Sequence, residues 1–160
     1  MRKLEAIPLE IHERAMRLAI AEARHNPSYP FGAVIIRAAD GEVMARGANN
    51  DRVNPVLHGE IACLNDYVAH HGNKGWEALI LYTTGEPCPM CMSALVWAGI
   101  GGVVFASSID AIRRGRDQPD RDRRQGGGGR LTVLSWRDSG RRIACRDGRD
   151  VSTAAPPLAS

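Results

Sequence analysis

Aromatic residues are scarce in this 160-residue chain. Three Trp, three Tyr and two Phe make up 5% of it, too few for the stacked-ring platforms on which single-stranded nucleic acids lie. Long apolar runs are missing as well: nothing approaches the roughly 20 residues that span a bilayer. The opening stretch MRKLEAIPLEIHERA carries acids and lacks the apolar core of a signal peptide. The sequence therefore predicts a cytoplasmic protein with no membrane partner. Cysteine is sparse, with Cys63, Cys88, Cys91 and Cys145 only, which excludes a secreted disulfide framework. Lysine is absent from residues 111–150, which hold 12 Arg and 6 Asp, while the last ten residues carry no charged side chain. The overall charge of +3 thus hides a split: residues 1–110 sum to −3 and residues 111–150 to +6. The pI of 8.9 is therefore no argument that the body of the chain binds a polyanion.

What is present is enough apolar residue, 44%, for one domain with a real core. Residues 9–25 place Ile11, Met16, Leu18, Ile20 and Ala21 at helical spacing and stop at Asn26-Pro27. Residues 31–37 and 42–46 read as a hairpin turning at Asp40-Gly41, followed by the loop 47–55. A helix over 59–70, with Ile61, Leu64, Asn65 and Val68 recurring, leads to a strand at 79–83, a helix at 90–97 and a strand at 103–106. Alternating strands and helices predict an α/β sandwich, one mixed sheet covered by helices. Beyond Ile112 the periodicity is lost. The expected organisation is one domain over 1–112 and an Arg/Gly-rich tail over 113–160, poorly packed apart from a short strand within 131–136. Arginine as the only basic residue, together with four consecutive glycines, is also what an out-of-frame read of a GC-rich gene gives. Resequencing the 3′ end tests that, and an intact frame there ends the idea.

The chemistry is concentrated in His58-Gly59-Glu60 and Pro87-Cys88-Pro89-Met90-Cys91. One imidazole and two thiolates are the borderline and soft donors that zinc takes. Three protein ligands leave a fourth position for solvent, whose proton becomes more acidic there. Two cysteines three apart at a helix start can share one metal, and the positive helix end favours the thiolate. Glu60 is placed to carry protons without occupying the metal. Two other readings stand beside this one: a Cys-x-x-Cys redox pair, or a closed structural zinc site completed by Cys63 or His71. By residue type alone, Cys63 reads as a small buried hydrophobe, and His12, His25, His70 and His71 read as solvated.

His-x-Glu followed by Pro-Cys-x-x-Cys is the zinc-deaminase signature, and the chain resembles the cytidine-deaminase-like superfamily over roughly residues 10–110. PFGAVII, the GANN loop and GEPCPMC are most similar to bacterial guanine deaminases and related free-base enzymes. LHGE looks more like fungal-type cytosine deaminase, and tRNA adenosine deaminases share the frame. The resemblance implies a three-layer α/β/α sandwich around a mixed five-stranded sheet, with one zinc ion per chain on His58, Cys88 and Cys91 and with Glu60 catalytic. It implies hydrolytic deamination of a small nucleobase, guanine or a related purine or triazine, by a homodimer. Cytosine and tRNA adenosine are the alternative substrates, and a non-catalytic zinc module is the alternative without turnover. Substrate contacts are implied at Asn49, Gly59, Glu86, Trp97, Phe31 and Asp110. Read from the residues alone, Asn49 also fits a turn-shaping role, Asp110 reads as a helix cap, Phe31 leans to the core, and Trp97 is as much core as pocket.

Overall fold

The computed structural model describes residues 4, 6–117, 132–134 and 142–143. Cys145 and most of the predicted tail lie outside them. Along the chain the elements are α1 (Leu9–Ala23), β1 (Gly32–Arg37), β2 (Val43–Ala48), α2 (Gly59–His71), a 3-10 turn (Trp76–Ala78), β3 (Leu79–Gly85), α3 (Pro89–Ala98), β4 (Gly102–Ser107), α4 (Ile109–Asp117), β5 (Thr132–Leu134) and β6 (Arg142–Ile143). The sheet order is β2-β1-β3-β4-β5-β6. β1 pairs antiparallel with β2 and β3, β3 and β4 run parallel, and β5 and β6 continue antiparallel from β4. The mixed sheet is as expected, but five strands is corrected. Four strands lie between residues 32 and 107, and the two short segments bring the described sheet to six.

Period-2 alternation divides the central strands between two cores. Val34 and Ile36 of β1 and Ile80 and Tyr82 of β3 pack with Ala15, Met16 and Ala19 of α1. Ala33, Ile35, Leu79 and Leu81 face the other way, toward Cys63 and Tyr67 of α2 and Leu95 of α3. That makes three layers, and Ile35, Leu81 and Leu95 are fully buried in the second. Each such side chain contributes about 1.5–3 kcal/mol when removed from water.

The helix faces differ from the sequence expectation. On α1 the buried stripe is Ala15, Met16, Ala19 and Ala23, and Ile20 is exposed. On α2 it is Gly59, Glu60, Cys63 and Tyr67, with Val68 exposed. The cause is close packing by small residues. A Cβ on Gly47 of β2 would overlap the backbone of Gly59 and Cys63, so α2 lies directly on the strand, and larger residues there would hold it off. α4, which the lost periodicity concealed, runs across the 112/113 boundary.

Two of the four histidines read as solvated are not. His12 is half-buried, with Nδ1 2.7 Å from the Tyr82 hydroxyl and Nε2 3.3 Å from the Leu4 carbonyl oxygen. His71 Nε2 lies 3.0 Å from the carbonyl oxygen of Met44. No helix among the described residues is long and apolar enough to cross a membrane.

Candidate active site

β1 and β3 are antiparallel, with Ala33 opposite Thr83. The start of β1 and the end of β3 therefore share one edge of the sheet, and two helices begin there. His58 is the N-cap residue of α2 and Cys88 that of α3; both have extended backbone, with Pro89 next in α3. Proline suits that position, since its missing N–H would have had no helical partner. The carbonyls of His58 and Cys88 accept the first helical bonds, from Ala62 and Met92, each at 2.9 Å. Cys91 follows in the first turn of α3, fully buried. Two positive helix ends thus converge on the same small volume.

Donor atoms of His58, Cys88 and Cys91 lie within 4.8 Å of one another, with Cys88 Sγ 3.6 Å from His58 Nδ1. Ordinary Zn–N and Zn–S bonds at a tetrahedral angle place such donors roughly 3.6 Å apart, the separation that His58 and Cys88 already have, so the donor set is of a kind and closeness that suits zinc. A closed four-ligand site loses both of its proposed completions. Cys63 sits in the core against the sheet, and His71 is bonded to Met44. Neither belongs to the donor group, which among the described residues is His58, Cys88 and Cys91 alone. Burial pushes the Cys91 thiol up strongly, helped by the neighbouring charges of Glu60 and Cys88. A cation bound among these donors would oppose that shift.

Glu60 is 5% exposed, and its Oε1 accepts a 3.0 Å hydrogen bond from the Thr83 hydroxyl. A buried carboxylate held this way by the strand it packs against has one defined orientation. Gly59 permits the approach. A Cβ there would stand 3.1 Å from the carbonyl oxygen of Phe31 and 3.2 Å from Gly32 Cα.

A cavity of about 260 Å³ opens beside the donors. His58, Cys88 and Glu60 form one side of it, and Phe31, Gly85 and Glu86 come from the strand ends. α4 supplies Ile109, Ile112 and Arg113, and is tied down where the Ile109 N–H donates to Glu86 Oε2 at 2.9 Å. Of the residues expected to touch substrate, Phe31 and Glu86 are in this cavity. Gly59 underlies it through its contact with Phe31.

Asn49 is buried, its backbone N–H bonded to Phe31 O at 2.9 Å, and it lines a second, neighbouring cavity of about 350 Å³. Its side-chain oxygen has no hydrogen-bond partner among the described residues. Asp110 is exposed in the first turn of α4. Trp97 is 90% exposed and lines neither of these two cavities. Thr83, Ile109, Ile112 and Arg113 were not foreseen. The last three belong to a short, Arg-rich helix with few apolar residues, and Thr83 closes a strand that its apolar run alone had marked.

This is the sheet, helix pair and donor set of a zinc-dependent deaminase. The family described as the cytidine and deoxycytidylate deaminase zinc-binding region matches residues 9–107. The chain belongs to that family, whose members are enzymes acting on C–N bonds. Guanine deaminase of Bacillus subtilis (strain 168) is 36% identical over 108 residues, covering 66% of this chain and 68% of that protein. A tRNA-specific adenosine deaminase of Streptococcus pyogenes serotype M18 is 33% identical over 111 residues, covering 64% of this chain and 67% of its own length. The crystal structure of the Bacillus subtilis guanine deaminase superposes with a TM-score of 0.60 at 32% identity, over 65% of this chain and 69% of that one.

Proposed function

We propose that the protein hydrolyses the exocyclic amine of a small heterocyclic base, guanine or a related purine or triazine ahead of cytosine, releasing ammonia. The observation that carries this reading is the buried, Thr83-anchored Glu60 in one cavity with the His58 and Cys88 donors. The cavity's 260 Å³ is below the roughly 300–1,000 Å³ of drug-sized sites, which favours a bare ring. The likeness to guanine deaminase supports the same choice.

His58, Cys88 and Cys91 would hold the zinc, which when bound supplies an acidified water at its open position. With Oε1 engaged by Thr83, Glu60 Oε2 takes a proton from the attacking water and hands it to a ring nitrogen. The water oxygen bonds to the amine-bearing carbon. Glu60 then passes the second water proton to the amine, the C–N bond breaks, and ammonia leaves a carbonyl behind. Phe31, Ile109 and Ile112 offer the ring an apolar lining that excludes competing water, and the Gly59 N–H and Glu86 carbonyl would grip its polar edge. Thiolate ligation suits a reducing, cytoplasmic compartment.

A second reading, deamination of an adenosine in tRNA, draws support from the Streptococcus pyogenes relative. Against it stands the −3 charge of residues 1–110, since an anticodon stem is held through its phosphates. Ammonia release from guanine, cytosine and a tRNA anticodon arm, on a zinc-quantified sample, separates the readings. Turnover of guanine above the other two is expected, and turnover of the RNA alone would replace the first reading with the second. Bound zinc with no turnover on any of them would leave a non-catalytic zinc module.

A further inference from the structure

Phe31, one wall of the cavity, is held in place by a side chain that lies outside that cavity. The Phe31 N–H donates to the Tyr29 carbonyl at 2.7 Å, and its carbonyl accepts from the Asn49 N–H at 2.9 Å. Asn26 holds both of those neighbours. The Tyr29 N–H donates to Asn26 Oδ1 at 3.2 Å, and Asn26 Nδ2 donates to the Asn49 carbonyl at 3.1 Å. Four hydrogen bonds thus close a ring through Asn26, Tyr29, Phe31 and Asn49. Asn26 Nδ2 also donates to Asp51 Oδ1 at 2.9 Å. With two acceptors on its nitrogen and an N–H on its oxygen, the amide has one orientation.

Asn26 is itself fixed. It follows α1 with its N–H on the Ala23 carbonyl at 3.3 Å, and α1 lies so close to β1 that a Cβ on Gly32 would overlap the backbone of Ala19 and Ala23. At the other end of the ring, a Cβ on Gly85 would stand 3.1 Å from the Phe31 side chain. Phe31 and Gly85 both line the cavity, so a shift of Phe31 changes its shape. We propose that Asn26 is a positioning residue for the substrate: by closing this ring it fixes the Phe31 wall, and with it the affinity for substrate, while taking no part in proton transfer. That role rests on the cavity being the substrate site of a deaminase. The separation of binding from chemistry follows from where the other groups are held. Glu60 is oriented by Thr83 on β3, and His58 and Cys88 stand at the starts of α2 and α3, whereas the Asn26 amide bonds to Tyr29, Asn49 and Asp51.

Steady-state ammonia release by the zinc-loaded full chain tests this, on whichever of guanine, cytosine and the tRNA anticodon arm the wild type turns over. Asn26→Ala opens the ring at both bonds. It is expected to raise KM about tenfold, the scale on which a slightly misplaced binding wall is felt, with kcat within about twofold and zinc content unchanged. Asn26→Asp keeps the acceptor for Tyr29 and loses both donors. It should raise KM as well, and it serves where Asn26→Ala fails to fold. Asp51→Ala is the control, since it removes a bond of similar length from the same amide but leaves the ring closed. Its KM should stay within about twofold of the wild type. An unchanged KM in the Asn26 variants, a loss confined to kcat or to zinc, or failure of both variants to fold would overturn the proposal. So would a rise in Asp51→Ala equal to that in Asn26→Ala. In each of those cases a guanine-active wild type keeps the aminohydrolase reading intact. A wild type that releases ammonia from none of the three removes that reading, and the role of Asn26 with it.

Discussion

The hydroxyl of Thr83 donates to Glu60 Oε1 at 3.0 Å, joining β3 to α2 through two side chains that are 1% and 5% exposed. The bond fixes which carboxylate oxygen remains for proton transfer. Replacing Thr83 by Val keeps the shape and removes the donor. The expected result is a kcat lower by about tenfold, the scale of supporting contacts around a metal site, with KM and zinc content little changed. Thr83→Ser, which restores the donor, should recover most of the loss.

Metal binding should also stabilise the fold. Cys91 is the fully buried member of the donor group, so Cys91→Ser removes one of the three donors found among the described residues. Zinc measured by atomic absorption should drop well below one ion per chain. Chelator treatment should lower the Tm of the wild type and leave that of Cys91→Ser almost unmoved, because a ligand stabilises only what binds it.

The donor set was legible in the sequence because its residues are chemically rare and their spacing reflects helix starts. His58, Cys88 and Cys91 come together, with Glu60 in the same cavity. The elements from α1 to β4 were legible for a different reason: their apolar runs are bounded by breakers such as Asn26-Pro27, Asp40-Gly41 and Pro87. The buried faces of α1 and α2 were misjudged, since Ala15, Ala19 and Gly59 score weakly as apolar residues yet face the sheet because they are small; Cys63, read as a small buried hydrophobe, is one. α4 was hidden because Ile109 and Ile112 are its only large apolar residues, set among Arg113, Arg114 and Arg116, and with it went one wall of the cavity. Trp97 had looked like core or pocket. A helix that is apolar all round predicts burial on every side, and Trp97 at 90% exposure does not meet it.

That exposure leads to a prediction about assembly. Met90, Val96 and Trp97 are exposed on α3, the last at 90%, and we propose that this face pairs with a second copy in a homodimer. Trp97→Ser should shift sedimentation from dimer to monomer. A wild type that sediments as a monomer at micromolar concentration would contradict the pairing.

His12 gives the fold a pH dependence of known sign. The Leu4 carbonyl can only accept, so Nε2 carries the hydrogen and Nδ1 accepts from the Tyr82 hydroxyl. Burial holds the imidazole pKa below its ordinary 6.5, outweighing the backbone bond to Leu4. The unfolded chain therefore takes up a proton before the folded one does. Stability from this source is complete above pH 6.5 and declines as pH falls toward the depressed folded value. Urea midpoints recorded from pH 7.5 to pH 5 should show the decline, and His12→Gln should flatten that part of it.

The account stands most directly on Glu60→Gln, measured for zinc per chain and ammonia released from guanine in one preparation. The expected result is a full complement of zinc with release reduced by at least about a hundredfold, the scale of a lost general acid–base. Release at the wild-type rate with zinc retained would contradict the role assigned to Glu60.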